Sequence, residues 1–336
     1  NRQATAYPTS LVIAPSRELA IQIYEEAAKF TNGTPLKCCV VYGGVPKKGQ
    51  INELKRGVDM IVATPGRLGD LINMRVVSVA NIQYLCLDEA DRMLDMGFEP
   101  QIREIVEKSG MPSGDKRQTV LFSATFPQGI RGLALDFLRD HRCLLKIGRV
   151  GETASNVTQE VKLIKTPRDK VETLVNELKA TQGHIIIFVE TKRQCQLLSD
   201  KLYDMGYKSA SLHGDHIQCE REAAINAFKE HRLKILVATS VVARGIDVPK
   251  VSKVINYDMP NAIDDYVHRI GRTGRAGHKG AAVAFFNPAR DRRLAGDLIK
   301  LMTDAGQDYP AFLDTYKNMP KGAGGARFNK RRKTRR

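Results

Sequence analysis

The run LCLDEAD places Asp88, Glu89 and Asp91 at the end of an apolar, strand-forming stretch. In open parallel sheets, ligands bind beyond the carboxyl ends of the strands. Adjacent carboxylates there suit a metal-phosphate site: Asp88 can hold Mg²⁺ through water, and Glu89 can orient and deprotonate an attacking water. The same letters also suit an acidic N-cap for a helix beginning DRMLD, and the D-E pair alone leaves both readings open. A second concentration of chemistry is HRIGRTGRAG, residues 268–277, which gathers His268, Arg269, Arg272 and Arg275 among three glycines. Arg272 and Arg275 are three apart, so at a helix end or tight turn both guanidinium forks can point at one anion. A lone basic run is a solvated or polyanion-facing surface; opposite a carboxylate-bearing strand end, it is an arrangement for charge on a transferring phosphoryl group.

These groups need a frame. Short β-branched runs (SLVIA, CCVVY, DMIVAT, YLCLD, VLFSAT, LLKI) alternate with helical patterns such as RELAIQIYEEAAKF, the signature of a parallel sheet covered on both faces. GRVGETASN, residues 148–156, breaks the alternation and reads as a linker. It restarts with VTQEVKLI, HIIIFV, SASLH, LKILVAT, VSKVINY and AAVAFF. The reading is an α/β protein of two tandem units, 1–148 and 157–306, joined by 149–156 and followed by an extension, 307–336. From about Lys321 periodicity is lost, and the tail is expected to be disordered when unbound.

The chain has 336 residues, enough for about two domains, and a net charge of +16. Its last sixteen residues hold eight positive charges and no acid. A basic body with a more basic tail favours a polyanion partner, and aromatics at 6% with no tryptophan favour gripping phosphates over stacking bases. The six cysteines contain no C-x-x-C and read as reduced, packed thiols. With no bilayer-length apolar run or signal-peptide pattern, the chain reads as soluble and intracellular, cytoplasmic or nuclear, without a membrane partner. It begins with Asn and reads as a fragment or processed product.

The order of segments resembles the DEAD-box family of ATP-dependent RNA helicases: APSRELAIQ (14–22), GG (43, 44), TPGR (64–67), DEAD (88–91), SAT (123–125), IIFVET (186–191), Q-x-x-R (218–221), ATSVVARGID (238–247) and HRIGRTGR (268–275). The similarity covers residues 1 to about 315, and LDMGFEPQIREIVEKSGMP together with FFNPARDRR look most like the Ded1/Vasa branch.

The resemblance implies two tandem RecA-like domains, the first incomplete, with ATP and Mg²⁺ as cofactors and RNA as partner, held by sequence-independent backbone contacts; protein regulators are a further expected class. By the same resemblance Asp88 and Glu89 serve Mg²⁺ and the hydrolytic water. Ser123 and Thr125 link the nucleotide state to Asp91, and His268 ties its loop to the acidic strand end. Gly245 and Asp247 approach the nucleotide, with Asp247 on the ribose, while Arg272 and Arg275 reach the γ-phosphate. RNA-facing positions are Pro15, Arg17, Gly44, Thr64, Pro65, Gly66 and Arg67, then Arg193, Gly214, Gln218, Arg221 and Thr239. Glycines that expose N–H groups and helix N-termini that attract phosphate give this set a physical rationale.

Departures from the family pattern are Ser16, His216 and Ser240, and above all the absence of any G-x-x-x-x-G-K-[ST] phosphate cradle. The expected activity is RNA-stimulated ATP hydrolysis coupled to RNA clamping, local duplex unwinding and ribonucleoprotein remodelling, with the 336 residues inactive alone. The alternative is a non-catalytic RNA-binding clamp; a DNA translocase is disfavoured by resemblance alone.

Overall fold

The computed structural model describes residues 5–146, 157–240, 251–274 and 279–317. The expected linker 149–156, the tail from 318, and the site positions Gly245, Asp247 and Arg275 lie outside the described residues.

In the first unit, β1 (Ser10–Ile13), β2 (Cys38–Val41), β3 (Met60–Ala63), β4 (Tyr84–Leu87) and β5 (Gln118–Leu121) alternate with helices. These are α1 (Arg17–Thr31), α2 (Lys47–Leu54), α3 (Pro65–Asn73), α4 (Ala90–Asp95), α5 (Glu99–Arg103) and α6 (Gln128–Phe137). The strands pair in parallel in the order β2-β3-β1-β4-β5. Their runs are almost continuously apolar because both faces are covered. Leu11, Ile13, Ile61, Leu85 and Leu87 bury on one face; Val12, Val62 and Cys86 bury on the other against Leu19 and Ala20 of α1. Since every strand runs the same way, Ala14, Thr64, Asp88 and Phe122 all emerge at one edge of the sheet.

Over its described residues the expected strand LLKI does not form: residues 142–146 carry no regular structure, and Leu144 and Leu145 are 62% and 82% exposed. Among the described residues β5 pairs with β4 alone, so its other side is an available edge; β-propensity by itself does not bring LLKI onto that edge, because pairing and side-chain burial decide. A five-residue π-helical segment, Glu104–Lys108, which the sequence patterns do not announce, extends α5.

The second unit contains β6 (Val157–Leu163), β7 (His184–Val189), β8 (Ser209–Leu212), β9 (Ile235–Thr239), β10 (Val251–Asn256) and β11 (Gly280–Phe286). They form a parallel sheet in the order β6-β11-β10-β7-β9-β8. Its helices are α7 (Pro167–Ala180), α8 (Lys192–Asp204), α9 (Gln218–Lys229), α10 (Ile263–Ile270), α11 (Pro288–Asp291) and α12 (Ala295–Asp304). Local chemistry starts them: Thr166 and Asp169 form a capping box before α7 with Pro167 in its first turn, and the Thr191 hydroxyl accepts from the Gln194 N–H at the start of α8. The second core extends past residue 306. Gln307 bonds to Val157 O and accepts from the Gln159 N–H at 2.8 and 2.7 Å, and Leu313 is fully buried, so residues 307–317, expected as an extension, are part of this unit.

Candidate nucleotide and nucleic-acid site

The acidic strand end is a connected network. Asp91 Oδ2 accepts from both the backbone N–H and the hydroxyl of Thr125 at 2.9 and 2.8 Å, and Oδ1 accepts from the Arg92 N–H. The Ser123 hydroxyl accepts from the Asp91 N–H and donates to Thr125 O at 2.6 Å. His268 Nε2, contributed by α10 of the second unit, stands 3.6 Å from Asp91 Oδ2. Burial works to raise the Asp91 pKa, but the bonds from His268 and Thr125 overcome it and hold the carboxyl at about 2. The Ser-Ala-Thr turn and the acidic strand end are therefore one hydrogen-bonded unit, and His268 of the second unit approaches it at Asp91.

Asp88 and Glu89 are different. Burial, with the nearby charges of Glu89 and Asp91, pushes the Asp88 pKa up against the pull of its bond from the Glu89 N–H. Glu89 sits in the left-handed region at φ 49°, ψ 51°, a conformation that costs a bulky residue on the order of 1 kcal/mol or more. Its Oε2 is buried without a hydrogen-bond partner. A strained backbone that aims an unpaired carboxylate oxygen inward is poor structural economy and suits a water-activating base. The donor set, hard carboxylate oxygens whose charge is uncompensated at Asp88, fits a divalent cation of the Mg²⁺ type.

On the second unit, Arg272 is buried to 8% exposure, and its Nε donates to His268 O at 3.2 Å. Arg269 is a strut. Its guanidinium donates to the Ser240 hydroxyl, Asn256 Oδ1 and Asp258 O, and lies over the Phe188 ring. Ser240, a departure from the family pattern, is thus a hydrogen-bond partner of Arg269, for which its hydroxyl suffices.

The expected RNA-facing positions divide by exposure. Gly44, Gly66, Arg193 and Gly214 are exposed and Arg17 is half-buried, whereas Pro15, Thr64, Pro65 and Thr239 are buried at or beside strand ends. Pro15–Arg17, Thr64–Gly66 and Arg193 mark the N-termini of α1, α3 and α8, three positive helix ends. Arg67 departs from the expectation of a direct phosphate contact. At 7% exposure it donates inward to Gln50 Oε1 and Val45 O, both at 2.8 Å, because the third residue of α3 faces the loop after β2.

Gln218 and Arg221 are likewise turned from the surface and face the first unit. Gln218 Oε1 accepts from Arg17 Nη1 at 3.1 Å, and Arg221 Nη2 pairs with Glu18 Oε1 at 2.5 Å. Two positions went unnoticed in the sequence: Glu18, and Gln50, whose signal is a glutamine one turn from Leu54 on the buried side of α2.

Two family models match this chain: "DEAD/DEAH box helicase" over residues 2–133 and "Helicase conserved C-terminal domain" over 169–277. Among solved structures, a variant of S. cerevisiae Dbp5 bound to RNA and ADP BeF3 is 33% identical with a TM-score of 0.78, the match covering 94% of this chain and 81% of that one. A variant of the same protein bound to a Gle1 variant and IP6 is 33% identical with a TM-score of 0.69, covering 92% and 77%. Mss116p bound to ssRNA and AMP-PNP is 27% identical with a TM-score of 0.76, covering 92% and 65%. Dbp5 and Mss116p lend no support to the expected Ded1/Vasa branch.

Proposed function

Because this chain belongs to the DEAD-box helicase family, we propose that it serves an RNA-stimulated ATP hydrolase that clamps RNA and opens short duplexes, and remodels ribonucleoproteins by the same motion. The observation that carries this reading is Glu89, held in a strained conformation with one carboxylate oxygen buried and unpaired beside Asp88. In the mechanism Glu89 accepts the proton of the attacking water at that oxygen. Asp88 would hold Mg²⁺ through water, and the ion, when bound, would neutralise phosphate charge. Arg272, with Arg275, would stabilise charge on the γ-phosphate, while Gly245 and Asp247 would meet the nucleotide. Asp91 relays between these groups: its bonds to Thr125 and its 3.6 Å approach to His268 tie the catalytic strand end to both the SAT turn and the second unit. RNA phosphates would lie along the helix N-termini at Arg17, Gly66 and Arg193.

The 336 residues contain no G-x-x-x-x-G-K-[ST], so alone they are proposed to hydrolyse ATP poorly. Losing several charge-assisted bonds, at about 1.5–3 kcal/mol each, costs orders of magnitude in affinity. The likeness to a Dbp5 structure holding Gle1 and IP6 supports a protein regulator as a partner class. A cytoplasmic or nuclear location is proposed alongside this reading. The test is RNA-stimulated ATP hydrolysis measured on the 336 residues and on the same residues fused behind a phosphate-cradling strand-loop-helix. Activity is expected only in the fusion and only with Glu89 intact; RNA binding with no hydrolysis in either would favour the non-catalytic clamp.

A further inference from the structure

The loop between β2 and α2 is fastened at its two ends by a linked pair of side chains, Gln50 and Arg67. Gln50, 8% exposed, accepts from Arg67 Nη1 at 2.8 Å through Oε1 and donates to Tyr42 O at 3.1 Å through Nε2. Arg67 Nη2 holds Val45 O on the far side. Between these anchors Gly44 adopts φ +84°, and a Cβ there would fall 2.2 Å from Arg17 Nη1 and 2.5 Å from its Cζ. The Arg17 guanidinium is therefore seated directly against the Gly44 backbone, and from that seat it reaches Gln218 of the second unit.

We propose that Gln50 is a positioning residue that couples the phosphate-facing helix α3 to the contact between the two units. It sets the height of the Gly44 backbone and so the place from which Arg17 holds Gln218. The path runs from α3 through Arg67 and Gln50 to the glycine loop, then through Arg17 across the cleft, with every step a bond or a close approach. A shift of α3 on engaging a phosphate moves Arg67, and the loop moves with it. The RNA half of the proposal rests on the function proposed above; the half concerning the contact between units does not.

The test uses the 336-residue chain with one dye on each unit and single-stranded polyuridylate as the RNA probe. Gln50→Glu keeps an acceptor for buried Arg67, so the fold survives, but replaces the donor to Tyr42 O with a repelling oxygen. Gln218→Ala removes the far end of the path. Each is expected to weaken polyuridylate binding about 5-fold, the scale of one hydrogen bond, and to lower the dye-reported closed fraction. The double variant is expected to be no worse than the poorer single, while the first unit of Gln50→Glu still melts in one cooperative transition, its midpoint lowered by only a few degrees. Multiplying effects in the double variant, or an unchanged closed fraction in Gln50→Glu, would overturn the proposal. If the unsubstituted chain does not bind polyuridylate, the RNA reading of the function fails, and the closed fraction without RNA still decides on Gln50: an equal loss in both single variants supports it, and no loss in Gln50→Glu overturns it.

Discussion

At the scale of the residue, the two carboxylates flanking Ala90 make opposite predictions. Glu89 has little to lose structurally, since one of its oxygens is unpaired and its backbone is strained. In the cradle-bearing fusion, Glu89→Gln is expected to lower kcat for ATP by about 10²-fold or more and to leave RNA affinity intact, as steady-state kinetics and anisotropy would show. Unchanged turnover would remove it from the base role. Asp91 is fully engaged. Its folded pKa of about 2 lies below the ordinary 3.8, so its contribution is present above that ordinary value and is lost as pH falls through the folded one. That contribution is on the order of 2 kcal/mol, and Asp91→Asn should flatten the acid limb of urea-unfolding stability between about pH 4 and pH 2. The type and order of both residues were legible in LCLDEAD, and their division of labour was not: it depends on Thr125 and His268, which arrive from elsewhere in the chain. Arg67 illustrates the limit. Residue type suggests a phosphate ligand, but only the packing of α3 against the loop shows both ends of its guanidinium already committed.

At the scale of the element, alternation alone located the ordered strands because continuous apolar runs flanked by helices have few other solutions. It failed where pairing decides, at LLKI, and where the preference is subtle, at the π-helical segment. It also could not say what α9 faces. Arg221 on that helix meets Glu18 of α1 with both side chains nearly buried, at 10% and 6% exposure. Removing one member of a buried pair costs about 3–5 kcal/mol, since it strands the other charge. Arg221→Met should therefore open the cleft, seen as a larger radius of gyration in small-angle scattering. Adding Glu18→Gln should restore much of the compact form; no recovery would mean that the pair does not hold the units together.

At the scale of the whole molecule, the two sheets differ in how they end. Among the described residues β5 leaves an open edge with Phe122 57% exposed beside it, whereas β6 of the second sheet is fastened by Gln307 and covered by the segment reaching Leu313. Calorimetry is expected to show two transitions, the first unit melting at the lower temperature and aggregating through its edge; a single cooperative transition would contradict this. The tail acts on another axis. Deleting residues 321–336 removes eight positive charges and should weaken RNA binding equally across sequences while flattening its salt dependence. An unchanged slope would argue against an RNA arm. The fastening of β6 also has a consequence in time. Its ladder runs Val157 with Gly280 through Leu163 with Phe286, so a growing chain must expose β6 until β11 has left the ribosome. At about 5–20 residues per second that wait is on the order of ten seconds, during which an alternately apolar strand has no partner. The second unit, expected to be the sturdier one once made, is thus the one whose synthesis offers the longer opening for chaperones, or for mispairing with a neighbouring nascent chain.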